Sequence, residues 1–335
     1  MIKTESVLVQ DLCVPCGCAC RYCLLSWDGK CVGAEWGRGT AFALRMRDWV
    51  AENREELDYS FTFGYSMEHP RLREALRFLR DIGSPQAEFL QCDGMRMRDA
   101  AQCRDLAALF AEEGVRKLNF TLYGLGEYHD RFAGRRGDFE QILRMMRAGE
   151  EAGLEISVGV PLTEENACQA EALCKLVPER TGCGKISLRV PHSEGRGVSL
   201  DGVRLRESTF EGLPVDLRAR MNRAVFRPER EWLADPSLGE ERGRMLIVSL
   251  RRDNIARYET MDPGALIDEI EALDEAYYAA FPSFAELAVR YGRGDGEEMF
   301  SRRDLFAHYR AAYGKEFSLS PYDVTDERQS GSRRF

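Results

Sequence analysis

Six short β-prone runs constrain this chain more than any other feature: SVLVQDL (6–12), YSFTF (59–63), AEFLQC (87–92), KLNFTLY (117–123), LEISVGV (154–160) and KISLRV (185–190). From the second run onward they recur roughly every 30 residues, the length of one strand plus one helix. The segments between them carry helical periodicity. Leu72, Ala75, Leu76 and Leu79 follow the i, i+3, i+4, i+7 stripe after Pro70, a residue suited to a first helical turn. Phe139, Ile142, Leu143 and Met146 repeat that stripe, with Asp138 placed to cap it and Gln141 three residues on. Gly83, Gly114 and Gly153 stand where helices end in a left-handed residue. Strand and helix alternate in this way to about residue 190, which implies a parallel sheet with right-handed crossovers.

After GRG at 195–197 the alternation stops, and residues 201–245 read as irregular, with prolines at 214, 228 and 236. A further strand is expected at RMLIVSLRR (244–252). A helix from about Pro263 to Ala280 carries Leu266, Ile270, Leu273 and Tyr277 on one stripe. Ser283 and Glu286 form a capping box for a short helix, and Arg303 to Tyr313 makes a third. The end of the chain, SLSPYDVTDERQSGSRRF, reads as a mobile tail.

At 335 residues and 44% apolar composition the chain can bury a large core. Its net charge of -9, from 56 acidic against 47 basic residues, supplies no overall basic field for a nucleic-acid backbone or an anionic membrane. MIKTESVLVQDL resembles neither a secretory signal nor a membrane span, so a cytoplasmic protein is expected. The eleven cysteines are odd in number and five crowd into residues 13–23. Reduced thiolates on a metal centre suit that pattern better than disulfides.

Within CGCACRYC, Cys16, Cys20 and Cys23 have CxxxCxxC spacing directly after the first strand, at the edge where parallel α/β proteins place their chemistry. A cube of four irons normally takes four thiolates, so three would leave one iron open to a substrate. A zinc site from Cys13-x-x-Cys16 with Cys20-x-x-Cys23 is the competing reading, although its two pairs stand closer together than zinc-finger pairs usually do. Under the first reading Cys13 and Cys18 are spare thiols. A binding module without catalysis is the matching alternative of another class.

The motif, with aromatic Tyr22 before its last cysteine, resembles that of the radical S-adenosylmethionine superfamily. That resemblance implies a [4Fe-4S] cluster whose open iron is chelated by the methionine end of S-adenosylmethionine. It also implies reductive cleavage to a 5'-deoxyadenosyl radical that abstracts hydrogen, with a flavodoxin or ferredoxin as electron donor. The run from 120 to 166 resembles the peptide-maturase and molybdenum-cofactor-cyclase branch in its HD pair (His129, Asp130), its GDFEQIL helix start, its EAG stop and its closing Asn166. No cysteine follows Cys183, so the auxiliary-cluster SPASM region of that branch is not expected.

The same resemblance nominates cofactor-binding positions. FGYSMEHP (63–70) stands where the family has a GGE-like turn, offering Gly64, Tyr65 and Ser66 as main-chain contacts to the methionine amino group. Thr121 stands where the branch often has a serine near the methionine carboxylate, and Arg131 or Arg135 replaces an arginine expected after HD. Tyr22 adjoins the cofactor, and Asp93, Ser157 and Arg189 are strand-edge candidates for the ribose or substrate side. His129 with Asp130 reads either as an acid-base pair or as the opening of a helix. The expected architecture is α/β: a partial (β/α)6 TIM-like barrel over 1–200, a smaller mixed α/β segment over 201–318 covering its mouth, and a tail over 319–335. The expected substrate is a peptide or protein side chain, with a small molecule or nucleoside as alternative.

Overall fold

The computed structural model describes residues 4–11, 16–23, 33–64, 66–239 and 244–319. Leu12, Cys13, Tyr65 and the tail from residue 320 fall outside them. Strand and helix alternate as the periodicity requires: β1 (Thr4–Gln10), α1 (Trp36–Asn53), β2 (Asp58–Thr62), α2 (Leu72–Asp81), β3 (Phe89–Gln91), α3 (Ala100–Glu112) and β4 (Lys117–Thr121). Two helices follow, α4 (Gly126–Ala133) and α5 (Asp138–Glu151), then β5 (Glu155–Pro161), α6 (Ala170–Thr181) and β6 (Ile186–Arg189). Gly83, Gly114 and Gly153 take the expected positive φ just beyond α2, α3 and α5.

The remainder runs through α7 (Glu207–Glu211), α8 (Val215–Arg218), β7 (Arg227–Pro228), α9 (Glu229–Leu233), β8 (Arg244–Ser249), α10 (Ile255–Thr260), α11 (Pro263–Ala279), α12 (Phe284–Tyr291), β9 (Met299–Phe300) and α13 (Arg302–Phe317). No helix among the described residues is long and apolar enough to cross a membrane. On α11 the buried face is Leu266, Ile267, Ile270 and Asp274, while Leu273, expected on the stripe, is 50% exposed. The 3.6-residue period carries the face on to Asp274 and turns Leu273 outward.

The sheet strands are parallel and form two hydrogen-bonded groups, β2-β1-β8 and β3-β4-β5-β6. β8, read from sequence as part of the C-terminal segment, pairs with β1 in the register Leu8↔Ile247. It covers an edge that β1 would otherwise leave open. Among the described residues no ladder joins β2 to β3, so the strands make an open arc. Side chains bridge that gap: Ser84 Oγ donates to the Phe61 carbonyl at 2.6 Å and Gln86 Nε2 to that of Gly64 at 2.9 Å.

A fully covered parallel sheet reads as continuous apolar sequence, whereas these strands alternate. Val7, Val9, Phe61, Leu118, Phe120 and Val158 face the helices in one core. Gln10, Gln91, Asn119, Thr121, Ser157 and Arg189 occupy the other face, which is polar and largely buried. A smaller core joins Trp232, Phe284, Leu287, Leu305 and Tyr309. The antiparallel β7-β9 pair crosses it.

Asp11, one residue past β1, is buried and its Oδ1 accepts from the Ala34 amide at 2.9 Å. Burial pushes its carboxyl up from 3.8 to about 7. The folded chain therefore holds a proton that the unfolded chain releases between those values. This contribution is full below about pH 4 and is lost as pH rises through 7, at a cost on the order of 4 kcal/mol at most. Asp11→Asn keeps the acceptor and is expected to raise the melting temperature at pH 8 while leaving it nearly unchanged at pH 4. Equal shifts at both pH values would contradict this.

Candidate active site

The segment Cys16–Cys23 leaves the C-terminal end of β1 and is tied down by backbone on three sides. Gly17 N donates to Gly94 O at 2.7 Å, Ala19 N to Ala133 O at 2.9 Å and Arg21 N to Phe132 O at 3.0 Å. Arg196 N closes the far end on Cys23 O at 2.9 Å. These approaches need small partners. A β-carbon at Gly94, where φ is +66°, would overlap Cys16 Sγ, and one at Gly134, where φ is +67°, would come within 2.9 Å of the Ala19 carbonyl. Gly94→Ala is therefore expected to destabilise the fold by about 2–3 kcal/mol, from left-handed strain plus overpacking, and to displace Cys16. Chemical denaturation and iron content after reconstitution check it; unchanged values for both would refute it.

The thiols are sorted by burial. Cys16, Cys20 and Cys23, which share the triad spacing, are half-buried, while Cys18 is buried. Cys18 Sγ lies 3.5 Å from Asp138 Oδ2. Its hydrogen bonds to Cys16 and Cys20, and its burial, push the Cys18 thiol up, whereas the hydrogen bond from Cys18 pulls Cys16 down.

Asp138 was expected as a helix cap but does other work. It is the first residue of α5, and its carboxylate takes the Arg135 guanidinium through Oδ1 and His129 Nε2 at 3.1 Å through Oδ2. His129 Nδ1 accepts from Tyr123 N at 3.1 Å, which fixes the tautomer with the proton on Nε2. The cap comes from Asp130, whose carboxylate accepts from Gly137 N at 2.5 Å and Phe139 N at 2.9 Å. The HD pair thus lies inside α4 and does not open it: Asp130 caps α5 from there, and His129 orients the Asp138 carboxylate that meets Cys18. Arg135 also reaches the Met95 carbonyl. Arg131 points away, 69% exposed and 3.7 Å from Glu127. Of the two candidate arginines, only Arg135 meets the loop.

On the concave face, Thr121 and Asp93 form a two-point contact: Thr121 N to Oδ1 and Thr121 Oγ1 to Oδ2, each at 2.8 Å. Gln91 Nε2 donates to Asp93 Oδ2 at 2.5 Å, Asn119 Nδ2 to Gln91 Oε1 at 2.5 Å and Ser157 Oγ to Asn119 Oδ1 at 2.7 Å. Burial raises the Asp93 carboxyl, and the Thr121 and Gln91 hydrogen bonds oppose the rise. Arg189 extends from β6 beside Gly159, where a β-carbon would collide with its guanidinium. Gln91 and Asn119 were not among the sequence candidates. Their register on the same faces as Asp93 and Thr121 would have found them.

Gly64 lies past β2 with φ +66°, its amide donating to Thr62 Oγ1 at 2.8 Å and its carbonyl taking Gln86. Ser66 begins a 3-10 turn, Ser66–Glu68, rather than a helix, and α2 starts only after Pro70 and Arg71. Of the remaining cysteines, Cys174 and Cys183 are buried as expected of core residues, whereas Cys168 is exposed.

Among the described residues no three His, Cys, Asp or Glu side chains are gathered around a single metal position. The donor set still suits an iron-sulfur cube. The three thiols of the triad are half-buried on one loop, the off-spacing Cys18 is turned into the core, and Gly94 leaves room beside Cys16. These three thiols would hold the cluster as thiolates, losing their protons on binding it.

No protein-family model and no curated protein matches the chain. Among solved structures, native anSMEcpe with bound AdoMet is similar over 72% of this chain and 63% of that one, at 14% identity and a TM-score of 0.42. The structure of anSMEcpe with bound AdoMet and Cp18Cys peptide matches over 94% and 99% of the two chains, at 11% identity and a TM-score of 0.42. The radical S-adenosylmethionine methyltransferase TsrM from Kitasatospora setae, with cobalamin and a [4Fe-4S] cluster bound, matches over 60% and 37%, at 16% identity and a TM-score of 0.35. The first and third matches span less than two thirds of those proteins. Likenesses this distant leave the activity to be argued from the residues themselves.

Proposed function

We propose that this chain is a radical S-adenosylmethionine enzyme that holds a [4Fe-4S] cluster on Cys16, Cys20 and Cys23 and abstracts hydrogen from a peptide or protein side chain. The observation that carries this is the half-buried triad past the C-terminal end of β1, on a fold whose inner sheet face is polar. When bound, the cluster and S-adenosylmethionine supply a 5'-deoxyadenosyl radical on arrival of one electron from a flavodoxin or ferredoxin. The chain's own share is positioning and shielding. Gly64 and the turn after it offer main-chain groups to the methionine amino end. Thr121, Ser157 and Arg189 offer polar contacts along the concave face, and Tyr22 offers a ring beside the third thiolate. Residues 1–200 carry this machinery with β8, and the segment to 318 covers the mouth.

The peptide assignment is supported by the resemblance of the 120–166 run to peptide maturases. The test is anaerobic reconstitution, which should give about four irons per chain and 5'-deoxyadenosine once dithionite and S-adenosylmethionine are added. A well-loaded protein that releases none would end the enzyme reading. Deuterated candidate peptides then decide the substrate. Deuterium in 5'-deoxyadenosine identifies the abstracted position, and transfer only from small molecules would overturn the peptide assignment.

A further inference from the structure

Tyr22 sits between two thiols of the triad, and its ring is fixed by groups from elsewhere in the chain. Tyr123, just past β4, meets it edge-on with centroids 5.9 Å apart. His192, past β6, lies nearly parallel to it, 5.5 Å away at 12°. The imidazole is in turn held from α13: its Nδ1 is 3.2 Å from Oδ1 of Asp304, which also accepts from Ser193 N at 3.1 Å. Asp304 is fully buried in the first turn of α13, and Ser301 donates to its other oxygen. A second strap runs beside the first, from Arg196 N to Cys23 O, and a β-carbon at Gly197 would collide with the His192 carbonyl. The plane of the ring next to Cys23 is thus set by a carboxylate at the other end of the chain.

We infer that His192 is a positioning residue for S-adenosylmethionine, acting through the Tyr22 ring and itself oriented by Asp304. This rests on the proposed function, since it assigns Tyr22 to the cofactor. A stack of two rings contributes enough to hold one orientation over its alternatives, and its loss translates into about a 3- to 10-fold weaker ligand. The role asks for a flat ring and no proton, so phenylalanine should serve where alanine does not.

The experiment uses the reconstituted full chain and measures the S-adenosylmethionine dissociation constant by equilibrium dialysis, with the electron paramagnetic resonance spectrum of the reduced cluster before and after the cofactor is added. His192→Ala is expected to keep its iron, to bind S-adenosylmethionine about 3- to 10-fold more weakly, and to show a smaller spectral change on binding. His192→Phe is expected to restore both. Unaltered binding and spectra in His192→Ala would overturn the inference, as would a His192→Phe variant as impaired as the alanine one. If His192→Ala loses iron, Asp304→Ala serves in its place, because it removes the oxygen that holds the imidazole while keeping the ring; unaltered cofactor binding there would equally overturn the inference. Failure of the unsubstituted protein to bind S-adenosylmethionine would instead strike the proposed function.

Discussion

Alanine in place of Cys16, Cys20 or Cys23, one at a time, is expected to leave reconstituted protein without a stable cluster and to lower 5'-deoxyadenosine formation more than about 100-fold, since loss even of outer-shell partners costs 10- to 100-fold. Cys18→Ala should retain most of its iron. The difference follows from the sorting of these thiols, with three half-buried on the loop and Cys18 buried against Asp138. Cys13→Ala separates the cluster from a zinc site, because a tetrahedral site on Cys13, Cys16, Cys20 and Cys23 would lose its metal with that change. Iron, sulfide and zinc analysis on the five variants reads out all of this. Equal iron loss in Cys18→Ala and Cys20→Ala would sink the assignment of the triad.

The largest effect on stability is expected at Arg204, which is 2% exposed. Its guanidinium donates to the carbonyls of Pro191 at 2.9 Å and Met299 at 3.4 Å, pairs with Asp201 at 2.6 Å, reaches Ser193 Oγ and lies 4.2 Å over the Phe300 ring. His308 Nδ1 meets the other Asp201 oxygen at 2.8 Å. Burial alone would raise the Asp201 carboxyl, but His308 and Arg204 hold it below its ordinary value. Arg204→Ala removes one partner of that carboxylate and the donor to two carbonyls, and should cost about 3–5 kcal/mol in a denaturant titration. Arg204→Lys should recover only part of the loss, because an ammonium cannot match the fork. A loss under about 1 kcal/mol would show that the knot carries no weight. The lowered Asp201 value also means that its share of stability is present above pH 3.8 and is lost as pH falls through the lower folded-state value.

Much of the architecture was legible because strands with one wet face leave a period of two in the sequence. KLNFT places Leu118 and Phe120 in the core and Asn119 and Thr121 opposite, and the structure keeps that division. That Cys16, Cys20 and Cys23 share one loop was legible for a different reason: the three are neighbours in sequence. What escaped notice joins distant positions. That β8 would seat beside β1, and not in a separate C-terminal segment, depends on which edge lacks a partner. That Arg135 and not Arg131 meets the loop depends on the turn around Gly134, since the two candidates lie four residues apart but face opposite ways. The Asp304 contact to His192 leaves no local trace at all, because nothing in PHSEGRG or SRRDLF announces the other.

The seat of β1 has a consequence for how the molecule is made. The strand that carries the cysteine loop precedes both of its sheet partners, yet one of its two edges stays unpaired until residues 244–249 have left the ribosome. Its pairing with β2 spans about fifty residues, and its pairing with β8 about two hundred and forty. The backbone ties of the cysteine loop, to Gly94, Phe132, Ala133 and Arg196, all lie before residue 244, so the loop can be held while that edge is still open. A nascent chain arrested before residue 244 would therefore present the cysteine loop on a strand with one open edge.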